Sequence, residues 1–361
     1  MNPGLTSYRF FAFFAVFLFH YGVFEFGYMG VHAFFVLSGF LLTPILLEMK
    51  SNLSTRRYYI NFYGRRALRI FPLYFSYLAL ISIVAYVAIN IFDYDLNDRL
   101  GRTLEQLVYA ATYTYNFFTI SSAYEQTQTL THFWSLAVEE QFYLIWPLLL
   151  MVVPKEKVKT VLLAIIALGP VIRGIAAVVA VQWPDIFNKY DMTAYTFTFS
   201  NFDAFAIGGL FAVYIQQIEW RWIIALAVVT FMIGIGSEYL MGEGIKVTAL
   251  GFKPFMSDSY KYIWGFSLFS ILFACLLVKI KNREVLPQIL EHKVLVYLGS
   301  ISYGLYVYHF PIMYFLKHEL QSIPGMVNLG LIFFISILVA SLSYELLEKR
   351  FLAKKDILFH R

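Results

Sequence analysis

The chain has 361 residues, of which 60% are hydrophobic, 19% aromatic and only 14% charged, far outside the composition of soluble globular domains. It reads as a polytopic membrane protein. The net charge of +5 needs no nucleic-acid partner, because basic loops facing an anionic leaflet account for it, and the single cysteine, Cys275, excludes an intramolecular disulfide without identifying a redox compartment.

Crossing about 30 Å of hydrocarbon takes about 20 apolar residues at 1.5 Å each. Ten stretches satisfy that length, near 8–26, 30–48, 71–91, 132–153, 160–181, 195–216, 222–240, 260–279, 294–316 and 326–347, which makes the expected fold all-α with about ten transmembrane helices. The segment 104–118 is apolar but short and interrupted by polar residues, and is expected to be re-entrant or interfacial. The first stretch has no basic leader beyond Arg9 and no small-residue cleavage site, so it is not expected to be a cleaved signal peptide. Ten crossings put both termini on one side. Twenty of the 28 basic residues fall on that side and seven on the other, with Arg173 inside a span. Short cytoplasmic loops collect Lys and Arg, so both termini are expected in the cytoplasm. The gaps at 49–70 and 92–131 are too short for a soluble domain, leaving one membrane-embedded domain over 1–361 whose residues 348–361 form a short basic cytoplasmic tail. Chemistry then falls to the spans and their short connections, where ionisable side chains are costly and by default functional.

The first span carries Arg9 and His20. Eleven residues separate them by about 16 Å along a helix, with Arg9 at the cytoplasmic mouth and His20 near mid-membrane, one end for an anion and one for chemistry. Alone, Arg9 would serve equally as a headgroup anchor and His20 as an interhelical hydrogen bonder, but a neutral imidazole in a membrane cavity is also a natural general base. In "GVHAFFVLSGFLL", Ser38 and Gly39 offer a small surface that a backbone or a ligand can approach, with helix packing the plainer reading. His32, near the outer end of that span, is expected to hydrogen-bond at the interface. "NFYGRRALRIFPLYF" leads into the third span, with Arg65 and Arg69 on one helical face and Arg66 beside them. Planar bidentate donors suit phosphate, which fits a nucleotide-bearing donor from the cytosol or a lipid headgroup.

The fourth span opens "THFWSLAVEEQFYLIWPLLL", where His132, Ser135 and Glu139 are spaced i, i+3, i+7 on one face and are expected to line a polar cavity opening outward. Glu140 points about 100° away, placed to pair with another helix, and an ion pair with Arg173 or a loop arginine is the structural alternative for these carboxylates. Asp203 in the sixth span, with the small pair Ala204 and Gly208, reads as structural. In "ISYGLYVYHFPIM" of the ninth span, Ser302, Tyr306 and His309 share one stripe, with Pro311 expected to kink the helix below them. No metal site is expected.

These residues resemble the acyltransferase 3 family, integral-membrane O-acyltransferases of bacterial surface polysaccharides and some small glycosides. Arg9 and His20 match its R-X10-H signature; Phe34, Phe35, Ser38, Gly39 and Phe40 its FFxLSGF; Arg65, Arg66, Arg69, Pro72 and Tyr74 its RRxxRIxPxY. Trp134, Ser135, Leu136, Glu139, Glu140, Gln141, Tyr143 and Pro147 look like its WSLxVEEQFYLxWP, and Ser302, Tyr303, Tyr306, His309 and Pro311 its SYxxYxxHxP. Five motifs in family order over nearly the whole chain are far more specific than any one. Ser7 and Phe10 depart from glycines common in the family, positions that concern packing. The chain also ends in a basic tail without the extracytoplasmic esterase-like domain that some members append, so a two-domain relay is not expected.

The resemblance implies an O-acyltransferase of the bacterial cytoplasmic (inner) membrane that moves an acyl group, most often acetyl, from acyl-CoA to a hydroxyl of a sugar or glycoconjugate. Carried onto this sequence, Arg9, Arg65, Arg66 and Arg69 would bind the CoA phosphates, and His20 would deprotonate the acceptor or transiently carry the acyl group. Glu139 would orient the imidazole, Ser302 or Tyr303 would donate to the oxyanion, and Ser38, His132, Ser135 and His309 stand as candidates to line the substrate cavity. The competing class is a proton-coupled transporter or flippase, since many spans with intramembrane carboxylates and histidines also describe carriers. A polysaccharide polymerase would carry a large extracytoplasmic loop that this sequence lacks.

Overall fold

The computed structural model describes residues 2–92, 99–242, 244, 246–320 and 322–359; Asp98, in the expected outer loop, and the last two residues of the tail lie outside them. The described residues build helices joined by short turns. In chain order these are α1 (Pro3–Tyr21), α2 (Gly30–Asn52), α3 (Thr55–Phe92), α4 (Arg99–Ala111), α5 (Tyr115–Thr119), α6 (Phe133–Val152), α7 (Val158–Gln182) and α8 (Tyr190–Thr196). They continue as α9 (Phe202–Tyr214), α10 (Trp220–Leu240), α11 (Lys261–Lys281), α12 (Pro287–Leu290), α13 (Lys293–Ser300), α14 (Ser302–Glu319), α15 (Gly325–Ser343) and α16 (Lys349–Leu358).

Among the described residues seven helices are long and apolar enough to cross a membrane, or eight when the bent pair that includes α8 and α9 counts as one span. The chain is a multi-pass membrane protein. Two of the ten expected spans do not reach that apolarity: α1 and α14 are helices of 19 and 18 residues, but tyrosines, His20, Arg9, Lys317 and His309 dilute them. The sixth expected span is bent by 69° at Phe197, whose backbone is extended. The ninth is broken between α13 and α14. The expected loop at 49–70 is instead mostly helix, because α3 runs unbroken for 38 residues, about 57 Å at 1.5 Å per residue. The segment 104–118 is covered by α4 and α5, 13 and 5 residues long, both too short to span.

The helices fall into two compact units, one of Met1–Glu48 with Leu148–Ser300, the other of Met49–Pro147 with Ile301–Arg361. In the first, Asn2 caps α1 by accepting from the Gly4 and Leu5 amides, and Gly22 ends it at φ 93°, a left-handed backbone that suits glycine. Ser7, one of the departures from the family pattern, donates to the Leu290 carbonyl at 2.5 Å. A Cβ on Gly39 would fall 1.9 Å from the Phe205 carbonyl oxygen, and one on Gly208 would fall 2.0 Å from that of Val36, so this glycine pair sets how closely α2 and α9 pack.

In the same unit Arg173, fully buried, pairs with Asp203 at 2.9 Å. It also donates to the carbonyls of Ile263 and Ser200 and to Ser267, and Ser267 donates in turn to Asp203 at 2.5 Å. A guanidinium engaged this way locks α7, α9 and α11 together, which bears out the structural reading of Asp203. It also removes Arg173 as the partner considered for Glu139 and Glu140. His32 is buried at 1% exposure and stacked on Phe266 at 4.5 Å and 6°; its expected place at the interface is wrong, because it packs as an aromatic ring inside the unit.

In the second unit α3 and α6 are tied side by side. Tyr58 donates to the Pro147 carbonyl and Tyr63 to that of Leu144, both at 3.0 Å. Tyr74 donates to the Ala110 carbonyl and Tyr77 to that of Thr129, both at 2.7 Å, anchoring α4 and the segment before α6 to the same long helix. The expected basic tail is not a loose extension. Its residues form α16, which lies against α3, and the Phe359 ring fills the notch left by Gly64, where a Cβ would sit 2.3 Å from it.

Candidate functional site

The RRxxR residues lie on the half of α3 that precedes Pro72, and the structure gives each arginine a different setting. Arg66 is half-buried, with its guanidinium 5.1 Å from the Tyr143 ring and 5.9 Å from that of Phe62. It sits within electrostatic reach of Arg69, Glu139 and Glu140. Aromatic faces attract a cation without consuming its N–H donors. Arg65, by contrast, donates through Nη1 to the Phe359 carbonyl at 2.5 Å, so one edge of its fork is already committed to the C-terminal segment. Arg69 lies within reach of the charge of Glu348.

Across from these arginines, α6 presents Glu139 and Glu140, both half-buried. Tyr143 donates its hydroxyl to Glu139 one turn away. Glu140 lies on another side of the helix, as its spacing predicts, where its charge reaches Arg66 and Tyr113. Burial, and after it the Glu140 charge, keeps the Tyr113 phenol above its ordinary pKa. Tyr113 stacks on Tyr74 at 4.5 Å and has a left-handed backbone at φ 54°, uncommon for a residue with a side chain. Gln141 holds that turn by donating to the Tyr113 carbonyl at 2.7 Å and to Asn116 at 2.9 Å.

His132, Ser135, Tyr306 and His309 are brought together, but as a buried joint between α6 and α14. The His132 Nε2 donates to the Val307 carbonyl at 3.0 Å, and Nδ1 of His309 donates to that of Tyr306 at 2.7 Å. Ser135 and Tyr306 share a hydrogen bond of 2.5 Å, and both hydroxyls contact the His132 carbonyl. The two imidazoles meet edge to face at 5.4 Å. With His132 at 2%, Ser135 at 4% and His309 at 0% exposure, His132 and Ser135 do not line the outward-opening cavity expected of them, because they are packed into this joint. Ser302 is buried as well. Tyr303 is half-buried, its hydroxyl 3.5 Å from the Ile70 carbonyl, at the limit of a hydrogen bond.

Arg9, His20 and Ser38 belong to the first unit and are half-buried. Because α1 runs from Pro3 to Tyr21 rather than over 8–26, His20 occupies its last turn beside the Phe19 ring at 5.3 Å. Arg9 lies nearly two turns inside the other end. Their separation of about 16 Å along the axis stands. Two residues of the second unit were not anticipated: Tyr113, whose short loop gives no motif, and Glu348, which regular helical periodicity places off the buried stripe of α15.

The acyltransferase domain model matches residues 2–345. The chain belongs to the acyltransferase 3 family. Over 96% of its length it is 28% identical to "Putative peptidoglycan O-acetyltransferase YrhL" of Bacillus subtilis (strain 168), covering 54% of that protein. It is 26% identical over 96% of its length to "O-acetyltransferase OatA" of Staphylococcus aureus (strain NCTC 8325 / PS 47), covering 56% of it. To "Peptidoglycan O-acetyltransferase OatA" of Listeria monocytogenes it is 26% identical over 89% of its length, covering 51% of that protein. The chain thus spans about half the length of these relatives. No solved structure matches.

Proposed function

We propose that the chain is an integral-membrane O-acyltransferase that moves an acyl group, acetyl first among them, from acyl-CoA to a hydroxyl of a cell-wall or surface carbohydrate at the bacterial cytoplasmic membrane, with both termini in the cytoplasm. The observation that carries this reading is Arg66, half-buried on α3 and cradled by the Tyr143 and Phe62 rings. A guanidinium held by ring faces keeps its N–H donors for an anion of the size and charge of a nucleotide's phosphates. Arg69 adds a second cation one turn on, on the same helix.

In the reaction the His20 imidazole takes the proton of the acceptor hydroxyl as its oxygen attacks the thioester carbonyl. The carbon–oxygen bond forms, the carbon–sulfur bond breaks, and the proton passes on to the departing CoA thiolate. Glu139 is proposed as the carboxylate of the reaction, and Tyr303, with its weakly engaged hydroxyl, as the donor to the oxyanion. The family membership and the printed names of the relatives support carbohydrate O-acetylation as the class.

The test is direct. Purified full chain in detergent is titrated with acetyl-CoA, and hydrolysis or transfer to a soluble glycan fragment is followed by mass spectrometry. Saturable binding and acetylated product are expected. A folded protein that neither binds nor turns over acetyl-CoA sinks the donor assignment and returns the carrier reading to the front.

A further inference from the structure

Lys261, the first residue of α11, is fully buried. A buried ammonium is costly and here sits at the unfavourable end of the helix dipole, so its surroundings must compensate. They do. Its three N–H donors go to the Gly251 carbonyl at 2.7 Å, Asp258 Oδ2 at 2.6 Å and the Gly234 carbonyl at 3.3 Å, and the Phe252 ring lies 5.3 Å away. Gly234 belongs to α10, Gly251 to the connection between α10 and α11, and Asp258 to the end of that connection. One side chain therefore folds the connection back onto α10, where Gly251 packs so closely that a Cβ on it would fall 2.4 Å from the Ile235 amide nitrogen.

The connection needs holding. Within 250–260, five residues that carry side chains, Leu250, Phe255, Met256, Ser259 and Tyr260, have left-handed backbone with φ between 50° and 61°. Such conformations are costly, persist only where the surroundings over-determine them and gather at ligand clamps and active sites. Phe252 and Met256 anchor the segment by full burial, while Phe255 stays half-buried. The Phe255 ring lies 4.9 Å from that of Tyr195, 6.0 Å from that of Tyr28 and, edge to face, 6.4 Å from that of Phe19. Phe19 is the ring beside His20, and an ion pair of 3.3 Å between Lys246 and Glu25 ties the same connection to the turn that follows α1. A buried ammonium and a strained backbone thus hold a partly open aromatic ring one ring away from His20.

We propose that Phe255 is a specificity-determining residue for the acceptor, offering its ring to the C–H face of a sugar whose hydroxyl is directed at His20, and that Lys261 is the positioning residue that holds it there. The negative face of the aromatic ring attracts the weakly positive C–H groups of a sugar, and it offers no hydrogen bond that would compete for the reacting hydroxyl. This rests on the reading of His20 as the base.

The experiment uses the full chain as wild type, F255A, F255W, K261M and the F255A/K261M double variant, with an N-acetylglucosamine tetramer as the acceptor probe. Acetyl transfer to the tetramer, acetyl-CoA hydrolysis without it and CoA binding are measured on each. F255A is expected to raise the acceptor KM about tenfold, the scale of one aromatic contact, with CoA Kd and acceptor-free hydrolysis changed less than about threefold. F255W should recover most of the loss. K261M should raise the same KM and add nothing in the F255A background, because a positioning residue acts through its partner; D258N, nearly isosteric, is the milder cut if K261M does not fold. An unchanged acceptor KM in F255A, an equal rise in CoA Kd, or additive effects in the double variant would overturn the proposal. A second readout needs no turnover: the thiol placed by Phe255→Cys in a chain lacking Cys275 is labelled with a maleimide. K261M or D258N should speed that labelling several-fold and saturating tetramer should slow it; a rate indifferent to the first refutes the positioning, and one indifferent to the second refutes the sugar contact. If wild type neither binds nor hydrolyses acetyl-CoA, the donor reading fails on its own and the labelling rates still decide.

Discussion

Replacing Arg66 and Arg65 one at a time separates two neighbours that the motif treats alike. Arg66→Gln removes a cation held 5.1 Å from the Tyr143 ring whose donors are proposed to meet phosphate. A hydrogen bond to a charged partner is worth about 1.5–3 kcal/mol, which translates into a donor KM raised roughly 10- to 150-fold. Arg66→Lys keeps a charge over the rings but loses the planar fork, so it should recover only part of that. Arg65→Gln loses a bond of 2.5 Å to the Phe359 carbonyl. That contact fastens the C-terminal segment, so the expected result is a stability loss of about 1 kcal/mol, typical of one hydrogen bond, with donor KM changed no more than about threefold. The assay is acetyl-CoA-dependent turnover across donor concentrations, with a thermal melt on the same preparations. An Arg65 variant that loses donor affinity as severely as the Arg66 variant, at unchanged melting temperature, would refute the division drawn from the structure.

Arg9 and His20 should fail in different ways: Arg9→Ala raises donor KM with kcat nearly kept, while His20→Gln preserves CoA binding and lowers kcat by at least about 10²-fold, the lower bound for a general base. A His20 variant with full turnover would make the histidine a packing residue. Arg173→Met leaves Asp203 buried without its cation, a loss of about 3–5 kcal/mol, and the paired change with Asp203→Asn should recover a substantial part of it in the thermal melt; equal melting temperatures for wild type and Arg173→Met would refute the ion pair. For topology, single cysteines at Lys50, Lys157 and Arg350, in a chain lacking Cys275, should resist impermeant thiol reagents in intact cells, whereas a cysteine at Gly242 should label. Labelling at Lys157 from outside would overturn the expected orientation.

Membrane character and most helix positions were readable along the chain because they depend on local composition: a run of about 20 apolar residues has few alternatives in a bilayer. The motif residues were equally visible as polar groups in places where polarity is costly. Motif spacing gave less about what each side chain touches. His132, Ser135 and Glu139 do share a face of α6, yet two of them end in a buried joint with α14 and the third accepts from Tyr143. Periodicity reports direction around a helix axis and is silent about the neighbour on that side.

Motif order along the chain pointed to the acyltransferase 3 family, and short-range helix geometry was enough for the registers of Arg65, Arg66 and Arg69 and the rise separating Arg9 from His20. Folding settled the rest: α1 ends at Tyr21 and so puts His20 in a last turn, Arg65 fastens Phe359 while Arg66 rests against aromatic rings, and a π turn swings Glu348 inward beside Gly304. These outcomes depend on residues up to 294 positions apart in the chain competing for the same donors, rings and space, and such competition leaves no periodic trace in the sequence.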